Sequence, residues 1–567
     1  MPGPLTRYFP FLRWPRPSAA LLRGEAMAGL TVGLMVIPQG VAYAQLAGMP
    51  LITGIYASMI PALVAVLFSA SARLSVGPTA LTSLLISASL LPLAQPGSAE
   101  WVSLAVWLAL LSGLLQIVLG AVRFGWLLNV VNAPVLMAFT QAAAVLIIAS
   151  QLPALLGFRG AWAQMVAQPS IHGLAAAFGL VSLVLLMLVR RWKPTFPSVL
   201  VIVLAAAGLS HWLGFEAGGG RVVGELPQGL PQPYLPIWPG WPVLGQLLLP
   251  TLVITLVSFL ETASSAKVDS QGKGERWNQD QDLIGQGLAK MASGLSGAFA
   301  TSSSFSRSAL NLYAGAQTGW ATVFSVVVVL LALLVFTPVL RYVPQSVLAA
   351  IVVVAVLGLL KPREFLRLWR ISPVEAVVAG ATFVVTIAAA PALYWGVLAG
   401  VLGSLSYFLY QRLHPRIIEV GLHEDGSLRD RHLWHLPMLA PHTYALRMDA
   451  ALDFAAASQF ERNVVEYLSA HRQTRHICLF AQPINRMDAT GAEVFSRLLN
   501  LLHQQGVALI ISGMKLPVEK VLRAAGALTP GPLLQLYRTD AETLRALSDI
   551  GRPVPDTDPP DLPAMAI

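Results

Sequence analysis

Apolar runs of about 20 residues, each long enough to cross a ~30 Å hydrocarbon layer as helix, recur from Ala26 to about Gln411 and then stop. Approximate spans begin at Ala26, Ile52, Ser75, Trp101, Asn129, His172, Pro197, Val243, Leu283, Ser304, Trp320, Pro344, Pro373 and Tyr394, about fourteen in all. The composition agrees: 55% of residues are hydrophobic and 11% charged, where a soluble protein carries roughly 25% charged residues. The expected organisation is a cytoplasmic N-terminal segment at 1–25, a polytopic helical membrane domain at 26–412, a linker at 413–440, a small α/β domain at 441–550 and a disordered tail at 551–567.

The formal charge of +9 reads as loop topology rather than affinity for nucleic acid. With a cytoplasmic N-terminus, the loops after even-numbered spans carry the basic residues: Arg73; Arg123; Arg190, Arg191 and Lys193; Lys267, Lys273 and Arg276; Lys361, Arg363, Arg367 and Arg370. The opposite loops offer mainly Arg159, Arg221 and Arg341. An even span count returns the chain to the cytoplasm at Arg412 and Arg416. The N-terminal Arg7, Arg13, Arg16 and Arg23 precede an apolar run without a small-residue cleavage site, so that run is expected to be a retained span. The single cysteine, Cys478, excludes an internal disulfide and a cysteine metal site, and no cofactor is called for. No Walker loop, nucleophile elbow or metal-ligand spacing supports an enzyme.

Two segments are too short or too broken for a full crossing: Val76 to Leu91, and the Ser/Gly-rich stretch from Ser293 to Gly315. They occupy corresponding places in the two halves. Each is followed by a similar helix start, Asn132-Ala133-Pro134-Val135-Leu136 and Val343-Pro344-Gln345-Ser346-Val347-Leu348. Matching interruptions point to a transport site, because half-helix N-termini aim free N–H groups and positive dipole ends at an anion. The alternative is a pair of re-entrant packing loops.

Glu261 lies within the apolar run Leu252 to Ala266 and is read as the one acidic side chain deep in a span. A carboxylate there costs at least ~2.5 kcal/mol on insertion scales, so it needs a partner or a proton. It is a candidate proton carrier, or else half of a structural ion pair with Arg307 or Lys290. Arg307, in Ser302-Ser303-Ser304-Phe305-Ser306-Arg307-Ser308, combines a guanidinium with hydroxyls and free amides, a donor set for a tetrahedral oxyanion; serine runs also cap helices and let them approach closely. In the first half Gly77 and Pro78 shape the turn and Thr79 is placed to cap the half-helix. Gln39 and Tyr43, spaced i, i+4, share one helical face and either contact a ligand or bond between helices.

Taken together these segments resemble the SulP family of anion transporters, relatives of the SLC26 exchangers. The resemblance rests on Thr31-Val32-Gly33-Leu34-Met35-Val36-Ile37-Pro38-Gln39-Gly40-Val41-Ala42-Tyr43-Ala44, on the Val76 to Leu84 stretch, and on Phe259-Leu260-Glu261. It continues through Asp282-Leu283-Ile284-Gly285-Gln286-Gly287, Ser304 to Asn311, and Ala314-Gly315-Ala316-Gln317-Thr318-Gly319. It implies a 7+7 inverted repeat with core and gate domains, the core comprising spans one to four and eight to eleven, and usually a homodimer in the inner membrane. The phrase Ser304 to Asn311 is most similar to the sulfate permease branch. That resemblance implies sulfate and proton as cargo, with Gln39, Tyr43, Ser304, Ser306, Arg307 and the Ala80 and Leu81 amides on the anion, Glu261 as the coupling carboxylate, and an elevator-like movement. Two stretches depart from the family pattern: Ala300-Thr301-Ser302-Ser303 replaces a glycine with Ser303, and the loop Lys267 to Asp280 is unlike the usual one. Alternative readings are bicarbonate or dicarboxylate as cargo, with sodium at Glu261, an uncoupled anion channel, or an anion sensor signalling through its C-terminal domain.

From Tyr444, short apolar strands (Ala445 to Met448, His476 to Phe480, Ala508 to Ser512) alternate with amphipathic helices, which argues a small α/β domain. It resembles a STAS domain, with Met487-Asp488-Ala489-Thr490-Gly491 as its loop at a helix start. Anti-sigma antagonist relatives carry a phosphorylated serine where this chain has Ala489, so that modification is excluded. Asp488 and Thr490 are both cap-type residues, and Thr490 is expected to cap the helix, with its own modification as the alternative. A cytoplasmic partner of this domain is expected.

Overall fold

The structure, a computed structural model, describes residues 9–126, 132–158, 171–192, 196–226, 229–273, 277–335, 337–528 and 531–550. Arg7, Asn129, Arg159, Lys193, Arg276 and the tail 551–567 lie outside the described residues, as does the side chain of Lys273. Two compact units emerge, Met1–Ser404 and Leu405–Ile567.

The first unit is helical. In chain order it contains α1 (Ala19–Leu46), α2 (Ile52–Tyr56), α3 (Ile60–Phe68), strand β1 (Val76–Gly77), α4 (Ala80–Leu90), α5 (Ala99–Ala121), α6 (Ala133–Leu155), α7 (Gly173–Trp192) and α8 (Ser198–Trp212). The second half supplies α9 (Trp241–Lys273), α10 (Gln279–Leu295), strand β2 (Ser302–Ser303), α11 (Phe305–Tyr313), α12 (Trp320–Val335), α13 (Thr337–Leu340), α14 (Gln345–Leu357), α15 (Pro362–Ile371), α16 (Pro373–Ala388) and α17 (Tyr394–Leu413). Six helical segments among the described residues are long and apolar enough to cross a bilayer, and five more are apolar but shorter.

Helix starts follow local capping chemistry. Ser18, Thr79, Ser98, Asn278, Ser304 and Ser372 each accept an amide hydrogen from three residues on, satisfying one of the donors a helix N-terminus leaves open. The Ser18 cap starts α1 at Ala19, inside the segment 1–25 that the sequence assigns to the cytoplasm. Glu25 is consequently buried, and its carboxylate accepts from the amides of Gln317, Thr318 and Ala321 at 2.8 Å each. It caps the start of α12 from outside, so the first helix and the second half are joined by charge-assisted bonds.

Close packing of the helices depends on glycine at their crossings. A Cβ on Gly113 of α5 would lie 2.7 Å from the Gly287 carbonyl of α10, and one on Gly287 would lie 2.6 Å from the Gly113 carbonyl. Backbone meets backbone there, as small residues allow in a bilayer, where no hydrophobic force drives helices together.

The second unit holds a six-stranded sheet in the order β4 (Leu428–Asp430), β3 (Ile417–Leu422), β5 (Thr443–Met448), β6 (His476–Phe480), β7 (Ala508–Ser512), β8 (Leu534–Tyr537). The last four run parallel, joined through α18 (Ala457–Ala470), α19 (Ala489–Gln504) and α20 (Leu516–Ala524), with α21 (Asp540–Ile550) following β8. The linker expected at 413–440 is corrected here: residues 417–422 and 428–430 form an antiparallel hairpin paired onto β5. Val420 is fully buried, and Glu419 is held by Arg431 at 2.8 Å and His432 at 2.9 Å. That short strand buries a charge beside its apolar residues, so its alternation is hidden in the sequence.

Candidate functional site

The two broken segments meet. β1 and β2 pair antiparallel, Val76 with Ser303 and Gly77 with Ser302, and the half-helices α4 and α11 start from opposite sides of that pairing. One cap holds each start: Thr79 Oγ1 accepts from the Thr82 amide at 3.3 Å, and Ser304 Oγ accepts from the Arg307 amide at 3.4 Å. The amides of Ala80 and Leu81, and those of Phe305 and Ser306, remain as the open N–H groups of the two half-helices. Their dipoles add positive potential at the same place.

Arg307 is 1% exposed. Although it belongs to α11, its guanidinium reaches across to the other break: Nε donates to Ser75 Oγ at 3.3 Å and Nη1 to the Pro78 carbonyl at 2.9 Å, while Nη2 has no protein partner. A Cβ on Gly77 would lie 3.3 Å from Nη2, so glycine leaves room for the guanidinium. The crossing is reinforced by Ser75 N to Ser308 Oγ at 3.0 Å, Ser304 N to the Ser75 carbonyl at 3.0 Å and Asn311 Nδ2 to the Arg73 carbonyl at 2.8 Å.

Glu261 of α9 is half-buried, and its carboxylate accepts from Thr79 Oγ1 at 3.1 Å. The suggested ion pair with Arg307 or Lys290 is not where those cations spend their donors. Arg307 bonds Ser75 and Pro78, and the fully buried Lys290 donates to Ser258 Oγ at 2.5 Å. Ser258 in turn accepts from Gln116 Nε2 at 2.9 Å, and its carbonyl accepts from Ser302 Oγ at 3.2 Å.

Three other acids of this unit, Glu25, Asp269 and Asp282, are buried within the protein. They are satisfied differently. Glu25 accepts three amides, Asp269 pairs with Arg73, and Asp282 takes Ser71 N at 3.0 Å, Ser71 Oγ at 2.6 Å and Trp277 Nε1 at 2.6 Å. Charged pairs and repeated donors fix those anions, whereas Glu261 relies on the hydroxyls of Thr79 and Ser302.

Gln39 and Tyr43 are both buried on α1, and Tyr43 packs in one apolar cluster with Ala80. Gln39 Oε1 has no protein partner. Pro38 before it lacks the N–H of an ordinary helical residue, which loosens the backbone there. Ala80 and Leu81 are buried at the start of α4; Ser302 and Ser303 are fully buried in β2; Ser304 is half-buried, and Ser306 is exposed with its Oγ 3.4 Å from that of Ser304. Residues Gly77, Pro78, Thr79, Ser302, Ser304, Arg307 and Glu261 are thus joined into one constellation. The sequence places free amides around Arg307 without assigning them to residues; they belong to Phe305 and Ser306. Lys290 was named only as a partner for Glu261.

Comparison with known proteins accounts for nearly the whole chain. Residues 22–382 match the model of the Sulfate permease family and residues 439–539 that of the STAS domain. This chain belongs to the sulfate permease family. A probable sulfate transporter of Mycobacterium tuberculosis is 30% identical over 521 residues, spanning 89% of this chain and 92% of its own length. Sulfate transporter 4.1, chloroplastic, of Arabidopsis thaliana is 30% identical, spanning 91% of this chain and 79% of its own. Among solved structures, murine Solute Carrier 26 family member A9 superposes with a TM-score of 0.85 at 20% identity, covering 96% of this chain and 94% of that one. That likeness shows the fold: a multi-pass helical membrane protein with a small α/β STAS domain.

In the STAS domain of this family member, Asp488 does the capping. Its Oδ1 accepts from Gly491 N at 2.8 Å and its Oδ2 from Phe454 N at 2.9 Å. Thr490, expected to cap, is exposed one residue into the helix after Ala489. Gly491 is required by contact, since a Cβ would sit 2.1 Å from the Leu452 carbonyl.

Proposed function

We propose that the chain is a secondary active transporter of inorganic anions in the inner membrane, taking up sulfate together with a proton. The observation that carries this reading is the reach of Arg307 from one half-helix to the Pro78 carbonyl at the start of the other, beside Thr79 and Glu261. Two sets of open amides, an unspent Nη2 donor and serine hydroxyls supply the donors a tetrahedral oxyanion requires. Glu261, held by the hydroxyls of Thr79 and Ser302 and by no close ion pair, is the group free to exchange a proton as the anion comes and goes. Movement of the core domain, spans one to four and eight to eleven, past the gate in an elevator-like stroke would carry both across, in a homodimer whose STAS domains face the cytoplasm.

A sodium-coupled variant is favoured by one observation: the buried Thr301 hydroxyl, one residue before β2, has no protein partner. Labelled sulfate uptake into liposomes, driven separately by proton and sodium gradients, tests the reading. Uptake that accelerates with an inward proton gradient and not with sodium supports it; equal uptake without either gradient overturns the coupling. Glu261→Gln is expected to abolish gradient-driven uptake while counterflow exchange of sulfate persists.

A further inference from the structure

Helix α15 has three faces of different chemistry. Taking ~100° per residue, Arg363, Arg367 and Arg370 fall within one stripe about 60° wide. Phe365 and Leu368 lie roughly opposite and turn toward the bundle: both are partly buried, and the Phe365 ring meets Phe383 of α16 edge-on, 5.9 Å between centroids. Between these faces, about 90° from the arginines, lie Leu366 and Trp369, which are 66% and 57% exposed, and Ile371 at the helix end is 70% exposed. A helix standing in water gains nothing from leaving a tryptophan and two large aliphatics uncovered. A helix lying at a bilayer surface needs that division: protein on one side, acyl chains on the second, head groups on the third.

The charge around it is one-sided. Arg190 donates to the Val354 carbonyl at 2.8 Å, which brings the last turn of α7, with the exposed Arg191, against the end of α14, and Lys361 begins the segment that leads into α15. Against these cations stands one acid on α15, Glu364, 3.9 Å from Arg367. That exposed contact is too long and too wet to neutralise the stripe.

We propose that α15 is a binding surface for the phosphate of an anionic phospholipid, seated between Arg363, Arg367 and Arg370 with its acyl chains against Leu366 and Trp369. Guanidinium forks suit phosphate oxygens, basic residues near a membrane surface draw anionic lipid, and the adjoining apolar stripe fixes a lipid rather than a free anion as the occupant.

The full-length protein permits a direct test, because its one cysteine, Cys478, is buried and can be replaced by alanine. In that background Leu366→Cys carries a bimane fluorophore, and the protein is reconstituted with brominated phosphatidylcholine or brominated phosphatidylglycerol. Both lipids are expected to quench, the anionic one with a relative association constant about tenfold higher or more at low ionic strength, a preference that shrinks as salt is added. Arg363→Gln with Arg367→Gln and Arg370→Gln should equalise the two lipids, while the corresponding triple lysine variant keeps a preference and shows that the helix still folds. Absence of quenching by either lipid, equal quenching in the unsubstituted stripe, or a preference that survives the glutamines would each overturn the proposal. Inorganic phosphate exchanged for chloride at constant ionic strength should leave the preference unchanged; displacement by it would mean a soluble anion site and would also overturn it.

Discussion

Thr79 donates its hydroxyl to the Glu261 carboxylate at 3.1 Å, and the same oxygen caps α4 by accepting from Thr82 N. One residue earlier, the Pro78 carbonyl takes Arg307 Nη1 at 2.9 Å. A single turn therefore presents an acceptor to the cation of one segment and a donor to the acid of another. Removing either bond alters the half-helix start on which the other depends.

Thr79→Val should leave expression intact but remove both the cap and the donor to Glu261. Loss of the cap alone is worth about 1 kcal/mol, and gradient-driven sulfate uptake is expected to fall by roughly tenfold or more, while Thr79→Ser retains most of it. Uptake by the valine variant at the unsubstituted rate would show that the Thr79 contact has no part in coupling.

Arg307→Lys tests geometry apart from charge. A lysine keeps the cation but cannot donate to Ser75, to Pro78 and to an anion from one planar group. Hydrogen bonds to charged groups are worth about 1.5–3 kcal/mol, so the KM for sulfate should rise by roughly tenfold to a hundredfold. An unchanged KM would mean the anion does not meet the guanidinium.

Glu25→Ala strips three amide donors of their acceptor at the start of α12. Each buried donor left without a partner costs about 1–3 kcal/mol. The detergent-solubilised variant should therefore lose its fold at a clearly lower temperature, with Glu25→Gln intermediate because one acceptor oxygen remains. A melting profile matching that of the parent would assign Glu25 no structural role.

In the STAS domain, Cys478 reports on opening of the sheet. Burial pushes its thiol well above the usual range and keeps it unreactive. In urea titrations read by maleimide labelling of the full chain, Asp488→Ala should lower the midpoint through loss of two bonds, by about 1–3 kcal/mol. Thr490→Ala, on the exposed side of the same turn, should stay within about 0.5 kcal/mol of the parent. The reverse ranking would restore Thr490 as the cap.

The same labelling follows a pH dependence. Burial first, then Arg475 and His442, hold His476 below the ordinary imidazole range. The unfolded chain then binds the proton more readily than the folded one, so the stabilisation is complete above the unfolded value of about 6.5 and is lost as pH falls through the lower folded value. His476→Asn should flatten the fall in urea midpoint between about pH 7 and pH 5; an unaltered slope would place the dependence on other groups.

Lengths of apolar runs set the membrane part in the sequence, and helix starts at serine, threonine and asparagine follow from chemistry within three residues. Hence α4 and α11 were legible, and so was Thr79 as a cap; in the sequence Ser304 reads as an anion contact, with capping only a general property of serine runs. The strand 417–422 was not, because Glu419 stands among its buried residues and is tolerated only through Arg431 and His432. Glu25 was likewise invisible as a buried group, since its three donors come from residues 317 to 321, far along the chain.

The sequence by itself determined that this is a multi-pass chain with two interrupted segments, a carboxylate within an apolar run and an arginine among serines. These depend on composition and short-range spacing. Only the tertiary structure decided that β1 pairs with β2, that Arg307 serves the opposite break, and that Glu261 answers to Thr79 while Glu25, Asp269 and Asp282 are tied down. Those relationships join residues about 180 to 290 positions apart, and no local pattern encodes which distant donor a buried polar group will find.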